Sequence, residues 1–166
     1  MKNTLILTVG LPYSGKSTWA RANEFPIVCP DKIRFALHGQ RYEQLAEPMV
    51  WAIAKIMVRS LFLAGHTNVV LDATNTTSNR RDEWISDDWS RMYVVCDISK
   101  EGCIRRARKA DDEYIVEIIE RMAVYLDYDG ILYNSDGGIF MEDRIKMPDG
   151  LKEMQLYHEG RAEDDI

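Results

Sequence analysis

The stretch Gly10-Leu11-Pro12-Tyr13-Ser14-Gly15-Lys16-Ser17-Thr18 carries the densest chemistry in this chain. Its glycines, lysine and hydroxyls follow the spacing GxxxxGK then Ser or Thr, a pattern suited to enclosing phosphates. Surrounding phosphate oxygens takes backbone N–H groups that no side chain obstructs, at the positive N-terminus of a helix. Gly10, Tyr13, Ser14, Gly15, Lys16, Ser17 and Thr18 are therefore the candidate nucleotide-binding set. Lys16 supplies charge to the β- and γ-phosphates, and the Ser17 hydroxyl is set to ligate a Mg²⁺ bridging them. The implied donor is ATP or another nucleoside triphosphate.

Such a loop serves kinases, GTPases and mechanical ATPases alike, so residues elsewhere must separate these chemistries. Asp31 follows an apolar run ending at Cys29, at the strand edge where open α/β sheets bind ligands, and Arg34 lies one helical turn further on. Asp31 is the candidate base for an attacking hydroxyl, and Arg34 is placed to steady the transferring phosphoryl group. An Asp before a helix is also an ordinary N-cap; the phosphate loop upstream is what favours catalysis. A third strand ends in Asp72-Ala73-Thr74-Asn75. Asp72 is expected to hold the metal with Ser17 or to orient Arg34, while Thr74 and Asn75 offer a hydroxyl and an amide to an acceptor. The adjacent Arg80 and Arg81 read as a solvated helix face. Further on, Arg105, Arg106, Arg108 and Lys109 crowd one helical stretch. That segment is expected to act as a lid, with Arg105 or Arg108 delivered to developing phosphate charge and water excluded.

Positioning these groups requires a sheet, and short β-rich runs do alternate with helical patterns. Strands are expected at Leu5–Val9, Ile27–Cys29, Asn68–Leu71 and Met92–Cys96, with helices at Ser17–Asn23, Lys32–Leu37, Pro48–Ala64, Asn79–Trp89, the 101–109 segment and Asp111–Asp127. The βαβα rhythm implies a parallel sheet sandwiched by helices. In the long helix Ile53, Ile56, Met57, Ser60, Leu61 and Ala64 repeat as a core-facing stripe, with Gly65 as its stop. Trp51, Trp84 and Trp89 read as core or half-core residues on helices. Turn signals dominate after Tyr128, Ile139-Phe140-Met141 is a candidate short strand, and 159–166 reads as frayed. The expected layout is a domain over 1–127 with a turn-rich extension of it over 128–166.

With 166 residues, 46% hydrophobic, 10% aromatic and 29% charged, the composition is that of a globular domain. The net charge of -6 opposes sequence-blind coating of polyanions, yet leaves room for a local basic groove, because screening acts over about 8 Å. Cys29, Cys96 and Cys103 are odd in number and lack CxxC spacing, which fits neither a disulfide framework nor a zinc site. Reduced thiols and a cytoplasmic setting are expected. The apolar run before Gly10 is too short for a secretion signal, and the one from Pro48 to Ala64 falls short of the roughly 20 residues of a membrane span. No membrane partner is expected. His38, His66 and His158 are scattered and suggest no site.

Together the phosphate loop continuing into Trp19-Ala20, Asp31 with Arg34, Asp72 to Asn75 and the arginine lid resemble the P-loop kinase family that includes phage-type polynucleotide 5′-kinase. The resemblance spans about residues 1 to 127, and no fused phosphatase domain is expected from these residues. It implies a P-loop NTPase fold with a helical lid, ATP and Mg²⁺, and a nucleic-acid acceptor, with a 5′-hydroxyl end leading. It implies that Asp31 is the base on the acceptor hydroxyl, that Arg34 contacts the scissile phosphate, and that Lys16, Ser17, Asp72 and Arg105 or Arg108 take phosphate, metal and substrate roles. Hydroxymethyl-pyrimidine bases in DNA and small hydroxyl compounds are alternative acceptors within the class. A nucleotide-hydrolysing switch is the reading from a different class.

Overall fold

β1 (Asn3–Val9) is apolar on both faces, with Leu5, Ile6, Leu7 and Val9 fully buried, which suits the centre of a sheet covered on two sides. The computed structural model describes residues 2–131 and 140–141, and seats β1 there. The strand order is β2-β3-β1-β4-β5, with β2 at Ile27–Val28, β3 at Asn68–Leu71, β4 at Trp89–Val95 and β5 at Phe140–Met141. β1 through β4 are parallel, in a register that sets Leu7 beside Leu71 and Tyr93, while β5 runs antiparallel to β4. Parallel strands deliver their C-terminal ends to one edge, so the segments following β1, β2, β3 and β4 converge there. The turn-rich expectation over 132–139 and 142–166, with the frayed end at 159–166, lies outside the described residues.

The described residues form six helices: α1 (Lys16–Ala22), α2 (Pro30–His38), α3 (Glu47–Leu63), α4 (Ser78–Asp82), α5 (Lys100–Lys109) and α6 (Glu113–Tyr125). A 3-10 turn at Gln44–Ala46 leads into α3. On one face α3, Ile33, Trp84 and Trp89 pack against Leu5, Leu7 and Leu71. On the other, Trp19 and Ala20 of α1 cover Ile6, Val70 and Met92. The α5–α6 pair forms a third cluster, in which Cys103, Ala107, Val116 and Ile119 enclose Leu11 of the phosphate loop. The loop therefore has an apolar anchor under the helices expected to form the lid.

Three expectations are corrected. The inward face of α3 is the expected one only in part: Ile53 and Leu61 pack against the core cluster, but the fully buried positions are Val50, Ala54 and Val58, and Ile56 is 63% exposed. The small Ala54 at the centre of that face lets the helix lie close on the sheet. The helix expected at Asn79–Trp89 ends at Asp82, and Trp89 opens β4. The Trp84 and Ile85 amides close single turns on Arg81 and Asp82, so Trp84 enters the core from a turn, and Trp89, on β4, donates its Nε1–H to the Trp84 carbonyl at 2.9 Å. Finally, Arg81 is not solvated; it is 1% exposed. Its guanidinium donates to the carbonyls of Asn75, Asp127 and Asp129 and to Asp127 Oδ1, at 2.6–3.0 Å.

Arg81 thus joins the segment after β3 to residues 127–129, and Asp127 in turn accepts from the Ser78 amide. Removing the guanidinium strands the buried Asn75 carbonyl, two part-buried carbonyls at Asp127 and Asp129, and half of an ion pair. Arg81→Ala is expected to cost about 3 kcal/mol in urea unfolding, and Arg81→Lys, which keeps the charge but not the fork, less.

Candidate active site

The loop between β1 and α1 takes a shape that its residues dictate. A Cβ on Gly10 would sit 2.5 Å from Ser14 Oγ and 2.7 Å from the Cys96 carbonyl oxygen, so only glycine lets the loop lie against the end of β4. The Gly10 amide donates to the Thr74 carbonyl at 3.0 Å, tying the loop to the segment after β3. Gly15, at φ 95, precedes α1 in the left-handed region. Tyr13 adopts φ 64, which costs a side-chain-bearing residue about 1–2 kcal/mol. The α5–α6 pair holds it there: Tyr13 Oη donates to Asp112 Oδ2 at 3.0 Å, and Arg106 Nη1 donates to the Tyr13 carbonyl at 3.1 Å. Arg41 completes the brace with a fork to Asp112 at 2.7 and 2.9 Å and lies over the Tyr114 ring.

Inside the loop Lys16 is buried, its Nζ donating to the Leu11 carbonyl at 2.5 Å and lying 3.4 Å from Ser14 Oγ. Burial pulls its ammonium below the usual lysine range, and Cys96 and Asp72 act in the opposite direction. Burial also pushes the Cys96 thiol up to about 11, so it is a neutral wall of the loop at pH 7. Ser17 Oγ donates to Asp72 Oδ2 at 2.7 Å. A hydroxyl and a carboxylate side by side beneath a phosphate cradle are hard oxygen ligands of the kind Mg²⁺ takes together with substrate phosphates. Ser17 and Asp72 therefore fit the metal, and Gly10, Ser14, Gly15 and Lys16 fit the phosphates it would bridge.

Asp31 stands in the first turn of α2 after Pro30, its side chain 80% exposed. Arg34 Nη1 donates to Asp31 Oδ1 at 2.6 Å. The side of the guanidinium formed by Nε and Nη2 forks onto Glu47, Nε to Oε1 at 2.7 Å and Nη2 to Oε2 at 2.8 Å. This fork raises the Arg34 pKa and holds the Glu47 carboxyl below its usual range. Trp51 Nε1 donates to Glu47 Oε2 at 3.2 Å, and the Arg80 guanidinium lies 4.3 Å from the Trp51 ring centroid.

The structure gathers Gly10, Tyr13 to Thr18 and Asp72 around one loop, and places Asp31 with Arg34 at the same sheet edge. Thr74 is half-buried and lends its carbonyl to the loop. Asn75 is almost wholly buried and donates to the Thr8 carbonyl at 2.8 Å, which makes it a strut of the loop's floor. Arg105 and Arg108 are exposed on α5, Arg108 lying 3.6 Å from Glu113. Arg106, which the sequence offers only as one of four clustered cations, is bonded to the phosphate loop through the Tyr13 carbonyl. Glu47 and Asp112 were also missed. Glu47 reads in the sequence as an ordinary acid ahead of Pro48, and Asp112 as one of three acids opening a helix.

A family model described as an AAA domain matches residues 5–122, well over half of the chain. The chain belongs to that family. Its four parallel strands, flanking helices and phosphate loop make it an α/β P-loop NTPase fold of the kinase type. A chain of the Pnkp1/Rnl/Hen1 complex is similar at 26% identity, over 63% of this chain and 39% of that one, with a TM-score of 0.57. A chain from a second structure, of the Pnkp1/Rnl/Hen1 RNA repair complex, shares 19% identity over 88% of this chain and 50% of that one, at a TM-score of 0.56. A proposed kinase from Chloroflexus aurantiacus shares the fold at 16% identity, over 72% and 78% of the two chains, with a TM-score of 0.51. This chain spans half or less of the length of the first two. No curated protein sequence matches it. None of the described helices is long and apolar enough to cross a membrane.

Two outcomes follow for this AAA-family site. Lys16→Ala is expected to abolish nucleotide turnover, and Asp72→Asn to raise the Mg²⁺ concentration needed for half-maximal turnover, both read from steady-state rates in a magnesium titration. The Arg41 fork holds the Asp112 carboxyl below the usual aspartate range. Its stabilising contribution is therefore complete above the unfolded pKa of about 3.9 and fades as pH falls through the lower native value. Urea unfolding should show wild type more stable than Asp112→Asn at pH 7, with the gap closing below pH 4.

Proposed function

We propose that this domain transfers the γ-phosphoryl group of ATP to a hydroxyl of a nucleic acid, with a 5′-hydroxyl strand end as the leading acceptor. The observation that carries the reading is the Asp31–Arg34 pair: an exposed carboxylate held by a fixed guanidinium, at the sheet edge the phosphate loop occupies. A nucleotide switch needs a positioned water and an effector surface, whereas a hydroxyl acceptor needs a base that its bulk can reach. Asp31 is such a base. The likeness to a chain of the Pnkp1/Rnl/Hen1 complex, which is described as an RNA repair complex, supports a nucleic-acid acceptor over a small metabolite.

In this reading Lys16 and the loop amides hold the β- and γ-phosphates in line with the acceptor oxygen. Ser17 and Asp72 would hold Mg²⁺, which would supply positive charge against the phosphates and the departing ADP. Asp31 takes the proton from the attacking hydroxyl as the oxygen–phosphorus bond forms. Arg34 stabilises charge on the transferring group with the N–H groups not committed to Asp31 and Glu47. Arg106, bonded to the loop through Tyr13, keeps α5 over the phosphates and limits access of water.

Label transfer from γ-labelled ATP tests this, with a 5′-hydroxyl DNA strand, a 5′-hydroxyl RNA strand and end-blocked DNA containing hydroxymethyluracil offered in parallel. Label is expected on a 5′ end, and Asp31→Asn is expected to lower transfer by at least about 100-fold while nucleotide affinity stays unchanged. Label on the blocked DNA would move the acceptor to a modified base. Consumption of ATP without labelling any strand, or full transfer by Asp31→Asn, would overturn the reading.

A further inference from the structure

Arg34 has five N–H groups, and the structure commits three of them: Nε and Nη2 to the two oxygens of Glu47, and Nη1 to one oxygen of Asp31. The division is unequal in a way that bears on chemistry. A guanidinium beside an exposed carboxylate favours the two-bond fork, which would occupy both oxygens of that carboxylate. Here the fork is spent on Glu47, whose side chain is 17% exposed against 80% for Asp31, so solvent screens the Glu47 pair less. Asp31 receives a single bond, and its second oxygen stays available.

Glu47 itself is held from behind. Trp51 Nε1 donates to the oxygen that accepts Arg34 Nη2, and Trp51 meets the fully buried Trp84 edge-on, with ring centroids 6.4 Å apart. Arg80 lies against the Trp51 ring and donates to Glu83 at 2.9 Å, so its charge is already paired. Core, tryptophan, glutamate and arginine form one chain of contacts ending at the Asp31 carboxylate.

We infer that Glu47 is a positioning residue for phosphoryl transfer, which takes the fork of Arg34 and thereby leaves one Asp31 oxygen free for the acceptor hydroxyl and one Arg34 edge turned toward the transferring group. This rests on the proposed roles of Asp31 and Arg34. Without Glu47 the guanidinium swings onto Asp31 and both groups are withdrawn from the reaction. The effect falls on the chemical step and not on binding, since neither ATP nor the acceptor touches Glu47 in this scheme.

The test is a double-mutant cycle on the full chain, with Glu47→Gln, Asp31→Asn and the pair assayed by label transfer to whichever acceptor the wild type phosphorylates. Glu47→Gln is expected to lower kcat by about 10- to 100-fold with both KM values within about twofold, and to cost little further on the Asp31→Asn background. The ¹⁵N-resolved Nε–H resonance of Arg34 gives a readout independent of turnover. It should be slowly exchanging in wild type and in Asp31→Asn, and shifted and fast-exchanging in Glu47→Gln. An undiminished kcat in Glu47→Gln, additive losses, or an Arg34 resonance unmoved by that substitution would each overturn the inference. Full activity of Asp31→Asn would instead overturn the proposed function, and if no acceptor is labelled the resonance still decides whether Glu47 holds Arg34.

Discussion

Parallel pairing of β1 with β3 on one side and β4 on the other is the constraint from which the rest of the structure follows. Because the three strands run the same way in matched register, the chain must leave each of them at one edge of the sheet. The phosphate loop leaves β1, Asp72 leaves β3, and Cys96 leaves β4 as a wall of that loop. The Gly10 amide bonded to Thr74 and the approach of Gly10 to Cys96 are direct consequences, since a loop squeezed between two strand ends has room for backbone and little else. The helices then have fixed places, α1 beginning where the glycine-rich loop ends and α2 bringing Asp31 to the same edge.

Around that edge the polar groups are shared between neighbours, and sharing gives the site its rigidity. Ser17 is bonded to Asp72, Arg34 to Asp31 and Glu47, Tyr13 to Asp112, and Asp112 to Arg41. Each bond joins residues from different elements, or from the two ends of one helix turn, so the site moves only if helices move. Preorganised dipoles and charges of this kind need little rearrangement when charge develops, which is where electrostatic catalysis gains its advantage.

What could be read from the residues alone divides along a physical line. The phosphate loop, Asp31 with Arg34, Asp72 and the alternation of strands and helices were legible because each depends on local spacing: a turn needs glycine, a buried parallel strand needs an apolar run, and a carboxylate after a strand sits at the sheet edge. Arg81 was misread as solvated, since nothing within its own helix reveals that the carbonyls of 127 and 129 return to meet it. Glu47 was invisible for the same reason, being thirteen residues from its partner Arg34 across a helix junction. The inward stripe of α3 was read only in part, Ile53 and Leu61 packing on the core as expected, because side-chain size misleads where a helix must lie close: Ala54 is buried while Ile56 is not. The tryptophans were placed correctly in the core, though Trp89 reaches it from a strand.

The antiparallel β5 has a consequence for how the molecule behaves among its own copies. β4 forms the outer flank of the parallel sheet, and seven residues of open backbone there would offer a template for another chain to add a strand. β5 pairs with Met92 and Tyr93 in the middle of β4, dividing that flank into two short pieces. The opposite flank is β2, only two residues long. Among the described residues neither border of the sheet presents an uninterrupted ladder, so edge-to-edge accretion is discouraged.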